Sequence, residues 1–136
     1  MSVGMVAGMS YVLVVDDEPD GAEVVQTALE RSGITARSVA NGQEALRELM
    51  SDSPDAVVLD VRMPEMDGIS LLEILRSYLR WYHLPVVLLT AHATKAQLQR
   101  ARELGVEHIF QKSNFELNEL VSCLKELIPP SVGKSG

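Results

Sequence analysis

Tyr11-Val12-Leu13-Val14-Val15-Asp16-Asp17 is an apolar run closed by two acids, and Asp55-Ala56-Val57-Val58-Leu59-Asp60 repeats the plan downstream. Runs this apolar, with no polar alternation, read as strands covered on both faces, the mark of a parallel sheet. Parallel neighbours bring Asp16, Asp17 and Asp60 to one carboxyl edge, the edge where ligands bind in open α/β sheets. Carboxylates crowded there repel one another unless a cation sits among them. Hard oxygen donors of this kind suit Mg²⁺. The two runs therefore predict a divalent-metal site with a nucleophile candidate inside it.

Outward from these runs, strand and helix signals alternate five times. Pro19 suits a first helical turn, and the helix over Pro19–Ser32 buries Val25, Ala28 and Leu29 and stops at Gly33. Ile34–Val39 mixes Thr35, Arg37 and Ser38 with apolar residues, as a half-exposed edge strand does. Asn41 with Glu44 opens the second helix in a capping-box pattern. After the strand ending at Asp60, Gly68 to Arg80 reads as a third helix with Leu71, Leu72, Leu75, Tyr78 and Leu79 on its inner stripe. Pro85-Val86-Val87-Leu88-Leu89 is a fourth buried strand, delivering Thr90 to the edge that holds Asp60.

Thr94 with Gln97 caps a fourth helix that ends at Gly105, and the strand Val106–Gln111 delivers Lys112. Ser113 with Glu116 opens a fifth helix whose Leu117, Leu120, Val121, Leu124 and Ile128 recur at core spacing. Alternation of this kind implies right-handed crossovers and a doubly wound (βα)5 α/β sandwich. Residues 11–128 form the domain, 1–10 a disordered N-terminal extension, and 129–136 a C-terminal tail or linker after Pro129-Pro130.

Composition narrows the function. The 136 residues carry a formal charge of −7, which argues against electrostatic binding to nucleic acid or to an anionic membrane surface. No apolar run approaches the roughly 20 residues that span a bilayer. One cysteine, Cys123, excludes an internal disulfide and predicts a reducing, cytoplasmic setting, with the thiol packed as a small hydrophobe. His83 and His108 share no ligand spacing with His92, so no transition-metal site is read. Trp81, in Arg80-Trp81-Tyr82-His83, is placed at the sheet edge opposite the acids as a packed helix-end aromatic.

The strand ends now assemble into chemistry. Strand one supplies Asp16 and Asp17, strand three Asp60, strand four Thr90 and strand five Lys112. A hydroxyl and an ammonium facing three carboxylates and a metal make a receptacle for a phosphoryl group. The central carboxylate can itself be the acceptor, giving an aspartyl phosphate.

Val14-Val15-Asp16-Asp17-Glu18, Leu59-Asp60-Val61-Arg62-Met63-Pro64-Glu65-Met66-Asp67-Gly68, Leu89-Thr90-Ala91 and Gln111-Lys112 together resemble the receiver (phosphoacceptor) domain of two-component response regulators. The resemblance runs from about Val12 to Ile128. It implies a flavodoxin-like, CheY-like sandwich with strand order 2-1-3-4-5, and a phosphoacceptor signalling domain rather than a turnover enzyme. Asp60 would take a phosphoryl group from a phosphohistidine on a sensor histidine kinase or a histidine phosphotransfer protein. Asp17 and Asp60 would bind Mg²⁺ with the backbone carbonyl of Arg62, Asp16 acting largely through water. Thr90 and Lys112 would hold the phosphoryl oxygens. Arg62 and His92 border the path of attacking water. The face from the fourth helix to the fifth would pass the signal to a downstream protein or a fused output domain. No DNA-binding or catalytic segment is read after Ile128, so a stand-alone receiver and an excised one are both expected possibilities.

The chain departs from the family at two switch positions. Ser113 stands where a proline usually follows the lysine with a cis bond. Because a cis bond costs a non-proline residue about 2.5–4 kcal/mol, Lys112-Ser113 is either trans or strained, and Ser113 is expected to serve as the cap of the fifth helix. Ile109 replaces the aromatic that moves with the threonine, and Phe110 lies one residue out of phase, facing the other side. A weaker conformational shift or a different reporter is the expected result.

Rival readings fare worse against these residues. A haloacid-dehalogenase-type phosphatase needs a second aspartate two residues after its nucleophile, where this chain has Arg62. A flavin mononucleotide cradle would be repelled by Asp16-Asp17-Glu18. A phosphorylation-independent interaction module on the same fold is the remaining alternative.

Overall fold

A computed structural model describes residues 11–128; the expected extension over 1–10 and tail over 129–136 lie outside the described residues. The chain runs β1 (Val12–Val15), α1 (Pro19–Arg31), β2 (Ala36–Val39), α2 (Gly42–Ser51), β3 (Ala56–Leu59), α3 (Gly68–Arg76), a 3₁₀ turn (Leu79–Trp81), β4 (Val86–Thr90), α4 (Lys95–Glu103), β5 (His108–Gln111) and α5 (Leu117–Leu127). The strands form one parallel sheet in the order β2-β1-β3-β4-β5, as the resemblance implies.

Period-two alternation divides each inner strand between two cores. Leu13, Val15, Val57, Leu59 and Leu88 pack with Ala45 and Leu49 of α2, Leu71, Leu72 and Leu75 of α3, and Ala101 of α4. Val12, Val14, Val58, Val87 and Leu89 pack on the other face with Ala22, Val25 and Leu29 of α1 and Leu120, Val121 and Leu124 of α5. Every residue of β1, β3 and β4 is buried, whereas β2 and β5 are partly exposed edges.

The helix ends largely follow their sequence signals. Asn41 accepts the Glu44 N–H at 2.8 Å, while the Glu44 carboxylate reaches back to the Ala40 N–H at 3.0 Å. Thr94 and Gln97 close a complete capping box on α4. Gly33 and Gly105 take φ of +88° and +91° after α1 and α4, a conformation that costs other residues strain.

Two expectations fail. The third helix stops at Arg76, and Tyr78 and Leu79 are exposed rather than part of an inner stripe. The Arg76 side chain donates to the carbonyls of Leu104 at 2.7 Å, Trp81 at 3.0 Å and Leu84 at 2.9 Å. Those bonds are compatible only with a chain that leaves the helix and folds back. Trp81, not Leu79, then enters the core, its indole N–H donating to Ser53 Oγ at 3.3 Å at the amino edge of the sheet. The second failure is Ser113, which caps nothing. A turn closes first, with the Asn114 N–H on the Gln111 carbonyl at 3.0 Å, and α5 begins after Glu116 without a side-chain cap. No cis peptide bond occurs among the described residues, so Lys112-Ser113 is trans.

Tyr11, buried ahead of β1, ties the amino edge together. Its hydroxyl donates to the Asp52 carbonyl, and the Arg37 guanidinium lies 4.0 Å over its ring. Burial pushes the phenol from 10.0 up to about 12; the Arg37 charge opposes this and the nearby Asp52, Glu48 and Asp55 carboxylates add to it. Because the folded value is the higher one, the phenol's contribution is complete below pH 10.0 and is lost as pH rises toward about 12. Chemical denaturation from pH 9 to 12 is expected to show this loss, and Tyr11→Phe to remove that part of the slope while costing on the order of 1 kcal/mol at neutral pH for the missing hydrogen bond. An unchanged slope in the variant would contradict this.

Candidate functional site

The sheet register sets up the site. Val15 pairs with Leu59 across β1 and β3, so the next residues, Asp16 and Asp60, leave the sheet side by side. Their backbone N–H groups still belong to the ladder, Asp16 to the Val39 carbonyl at 3.1 Å and Asp60 to the Val15 carbonyl at 3.0 Å. Thr90 ends β4, and its carbonyl accepts the Lys112 N–H at 3.0 Å, which fixes where Lys112 leaves β5.

At this rim Asp16 and Asp60 are buried and Asp17 is exposed, and the three offer carboxylate oxygens all within 4.8 Å of one another. Asp16 Oδ1 accepts the Glu18 N–H at 2.9 Å, and Asp60 Oδ1 accepts the Arg62 N–H at 3.2 Å. The other oxygen of each faces Lys112, whose Nζ lies 2.8 Å from Asp16 Oδ2, 3.0 Å from Glu18 Oε1 and 3.2 Å from Asp60 Oδ2.

The charges follow from this geometry. Burial, together with the Asp16 carboxylate, pushes the Asp60 carboxyl above its ordinary range, against the Lys112 charge and the Lys112 and Arg62 hydrogen bonds. Burial disfavours the Lys112 charge too, but the hydrogen bonds it donates to Asp16 and Glu18 and the Asp60 charge outweigh it and hold the ammonium above its usual range. Lys112 thus stays cationic, and one ammonium contacts three carboxylates, with Asp17 beside them. The rim remains electron-rich and suited to a hard cation.

Thr90 Oγ1 is buried and has no hydrogen-bond partner among the described residues. Such a group usually costs stability, and it lies at the same carboxyl edge of the sheet as the acids. A cleft of about 710 Å³ joins Asp17, Asp60, Arg62, His92, Gln97 and Lys112. An adjoining cleft of about 480 Å³ lies beside Thr90 and Ile109. Ile109 packs on the α2/α3/α4 side and Phe110 on the α1/α5 side, as the strand alternation requires. Ser113 is exposed on the turn after Lys112.

The loop after Asp60 is tightly built. The Met66 N–H meets the Pro64 carbonyl at 2.7 Å around Glu65, whose φ of +70° is unusual for a residue with a side chain. Gly68 then presses against the backbone. A Cβ there would collide with the Asp60 carbonyl oxygen and lie 2.9 Å from Val61 Cα. The Gly68 N–H also donates to the Val61 carbonyl at 2.8 Å.

This constellation has known counterparts. The model of the response regulator receiver domain matches residues 12–125. The chain belongs to that family. It is a response regulator receiver domain of the two-component systems.

Over 124 residues this receiver is 33% identical to the transcriptional regulatory protein GltR of Pseudomonas aeruginosa, covering 91% of this chain and 51% of that protein. It is 35% identical over 117 residues to the DNA-binding transcriptional regulator NtrC of Escherichia coli, covering 86% of this chain and 24% of that one. The chain thus spans about half of the first of these curated relatives and about a quarter of the second. Among solved structures, the receiver domain of a signal transduction histidine kinase from Syntrophus aciditrophicus superposes with a TM-score of 0.78 at 35% identity, covering 87% of this chain and 89% of that one.

Two contributors to the receiver's site carry no separate sequence signal. Glu18 follows the acid pair and reads as a solvated helix-start acid, yet it completes the lysine's coordination. Gln97 reads only as a capping residue, yet it lines both clefts.

Gly68→Ala is expected to destabilise the receiver by about 1–3 kcal/mol, because rigid backbone rather than a flexible side chain opposes the new methyl. Urea unfolding measures this, and a change near zero would contradict the close approach.

Proposed function

We propose that Asp60 is the phosphoacceptor of this receiver and that Asp16, Asp17 and Asp60, with the backbone carbonyl of Arg62, hold Mg²⁺ there. The observation carrying the reading is the meeting at one rim of a buried carboxylate, an ammonium bonded to it and an unpartnered buried hydroxyl. No other grouping of three potential metal ligands occurs among the described residues. When bound, Mg²⁺ supplies charge neutralisation between carboxylate and phosphoryl oxygens.

An Asp60 carboxylate oxygen attacks phosphorus, the bond from phosphorus to the donor's imidazole nitrogen breaks, and the imidazole leaves with the electron pair. Lys112 is already 3.2 Å from Asp60, so a short movement away from Glu18 lets it hold a phosphoryl oxygen. Thr90 Oγ1 supplies the second hydrogen bond, giving its orphaned hydroxyl a partner. Hydrolysis reverses the bond to Asp60 with water as nucleophile, and Arg62 and His92, both lining the cleft, border its path.

The donor is a phosphohistidine on a sensor histidine kinase or a histidine phosphotransfer protein. The response passes through the α4/β5/α5 face to a downstream protein or a fused output domain, with no nucleic acid or membrane bound by this domain itself. Its net charge of −7 fits that assignment. No helix among the described residues is long and apolar enough to cross a membrane. In this reading the domain is residues 11–128, with the flanking segments outside the phosphotransfer unit, and the protein acts in the cytoplasm as a signalling domain rather than a turnover enzyme.

Incubation with Mg²⁺ and acetyl phosphate is expected to add about 80 Da, the mass of one phosphoryl group, by direct carboxylate attack. Asp60→Asn and chelation of Mg²⁺ should each abolish the adduct. Thr90→Ala and Lys112→Ala should slow its formation by about tenfold or more, as loss of a transition-state hydrogen-bond donor does. A folded protein that takes up no phosphoryl group would instead be a phosphorylation-independent interaction module.

A further inference from the structure

We propose that Gln97 is a further phosphoryl-binding residue, through which α4 senses the state of Asp60. The inference rests on the phosphoacceptor reading above. Gln97 occupies the third position of α4, where its backbone N–H donates to Thr94 Oγ1 at 3.1 Å and its Oε1 accepts the Thr94 N–H at 2.9 Å. Those two bonds fix the side chain and commit its carbonyl end. The amide Nε2 is the end that the capping box does not use.

The fixed side chain stands where two clefts adjoin. One contains Asp17, Asp60 and Lys112, and the other contains Thr90 and Ile109. Capping alone does not account for glutamine here. Glutamate closes the same box equally well and is favoured by the helix dipole at an N-terminal turn. What glutamate lacks is a donor, and its charge would face a rim that already holds Asp17 and Asp60. Glutamine keeps the cap and presents an N–H to an anionic group.

Ile109 gives the arrangement its purpose. An aliphatic side chain borders the space beside Thr90 and offers no polar group, so it cannot answer a phosphoryl oxygen by hydrogen bonding. A Gln97 side chain that donates to that oxygen would link the phosphoryl group directly to the first turn of α4. Thr94, at the other end of the box, would feel any displacement.

Gln97→Glu separates the two roles, because it preserves the box and removes the donor. With Mg²⁺ and beryllofluoride, a phosphoryl mimic, the side-chain amide resonances of Gln97 in ¹⁵N-labelled wild-type protein are expected to shift and to exchange more slowly with water. Without beryllofluoride, Gln97→Glu should keep the wild-type α4 backbone resonances, and it should bind beryllofluoride about tenfold or more weakly, as loss of a hydrogen bond to a charged group does. Binding by the variant as tight as wild type would overturn the inference. So would weaker binding with an unmoved Gln97 amide signal in wild type, which would mean charge repulsion alone. If wild type binds no beryllofluoride, the phosphoacceptor reading falls together with this one. If wild type binds and only Gln97 is silent, that reading stands and this one fails.

Discussion

The Lys112 ammonium, within 3.2 Å of Asp16, Glu18 and Asp60, is the contact on which the rest of the site depends. It gathers carboxylates carried by β1, the start of α1 and β3 from its own place beyond β5. Packing fixes the strands, but packing by itself would leave like charges crowded at the rim. The ammonium relieves that crowding without ending it, since one cation contacts three carboxylates and Asp17 stands beside them. The donor set left at the rim is of the kind that suits a hard divalent cation. Because Lys112 is bonded to Asp60, a phosphoryl group on Asp60, as proposed above, would lie within its reach.

That balance also suggests how a local charge becomes a change of shape. If Asp60 is the phosphoacceptor, as proposed, a phosphoryl group there would convert the partner of Lys112 from a carboxylate to a doubly charged group and would give Thr90 Oγ1 a partner. A ligand shifts a two-state equilibrium only by its differential interaction with the two states. On that proposal the differential groups would be Lys112, which now also contacts Glu18, Thr90, whose hydroxyl is otherwise unsatisfied, and Gln97 if its amide donates. Ile109 can fill space in such a change but cannot sense charge. Ser113, exposed on its turn, caps no helix, and its bond to Lys112 is trans.

Most of the fold, and the grouping of residues at the rim, was legible in the sequence because the strongest signals there are local or binary. β1, β3 and β4 are buried along their whole length, so uninterrupted apolar runs mark them, and the acids, Thr90 and Lys112 stand directly at their ends. Asn41, Thr94 and the two positive-φ glycines mark helix ends through interactions within a few residues. The misreadings came from competition over longer distance. Helical periodicity through Tyr78 and Leu79 lost to Arg76, which binds a carbonyl 28 residues away. Ser113 has the right spacing for a cap, but the turn ending at Asn114 closes before the helix begins. Glu18 and Gln97 matter because of what the fold places opposite them, and no pattern along the chain records that.

A crystal structure with Mg²⁺ and beryllofluoride bound would test the central role of the Lys112 contact most directly. The expected structure has the mimic on Asp60, Lys112 turned from Glu18 to one of its fluorines, and Thr90 Oγ1 within hydrogen-bond distance of another. A mimic-free Asp60, or a bound mimic with Lys112 still on Asp16 and Glu18 and Thr90 still without a partner, would contradict it.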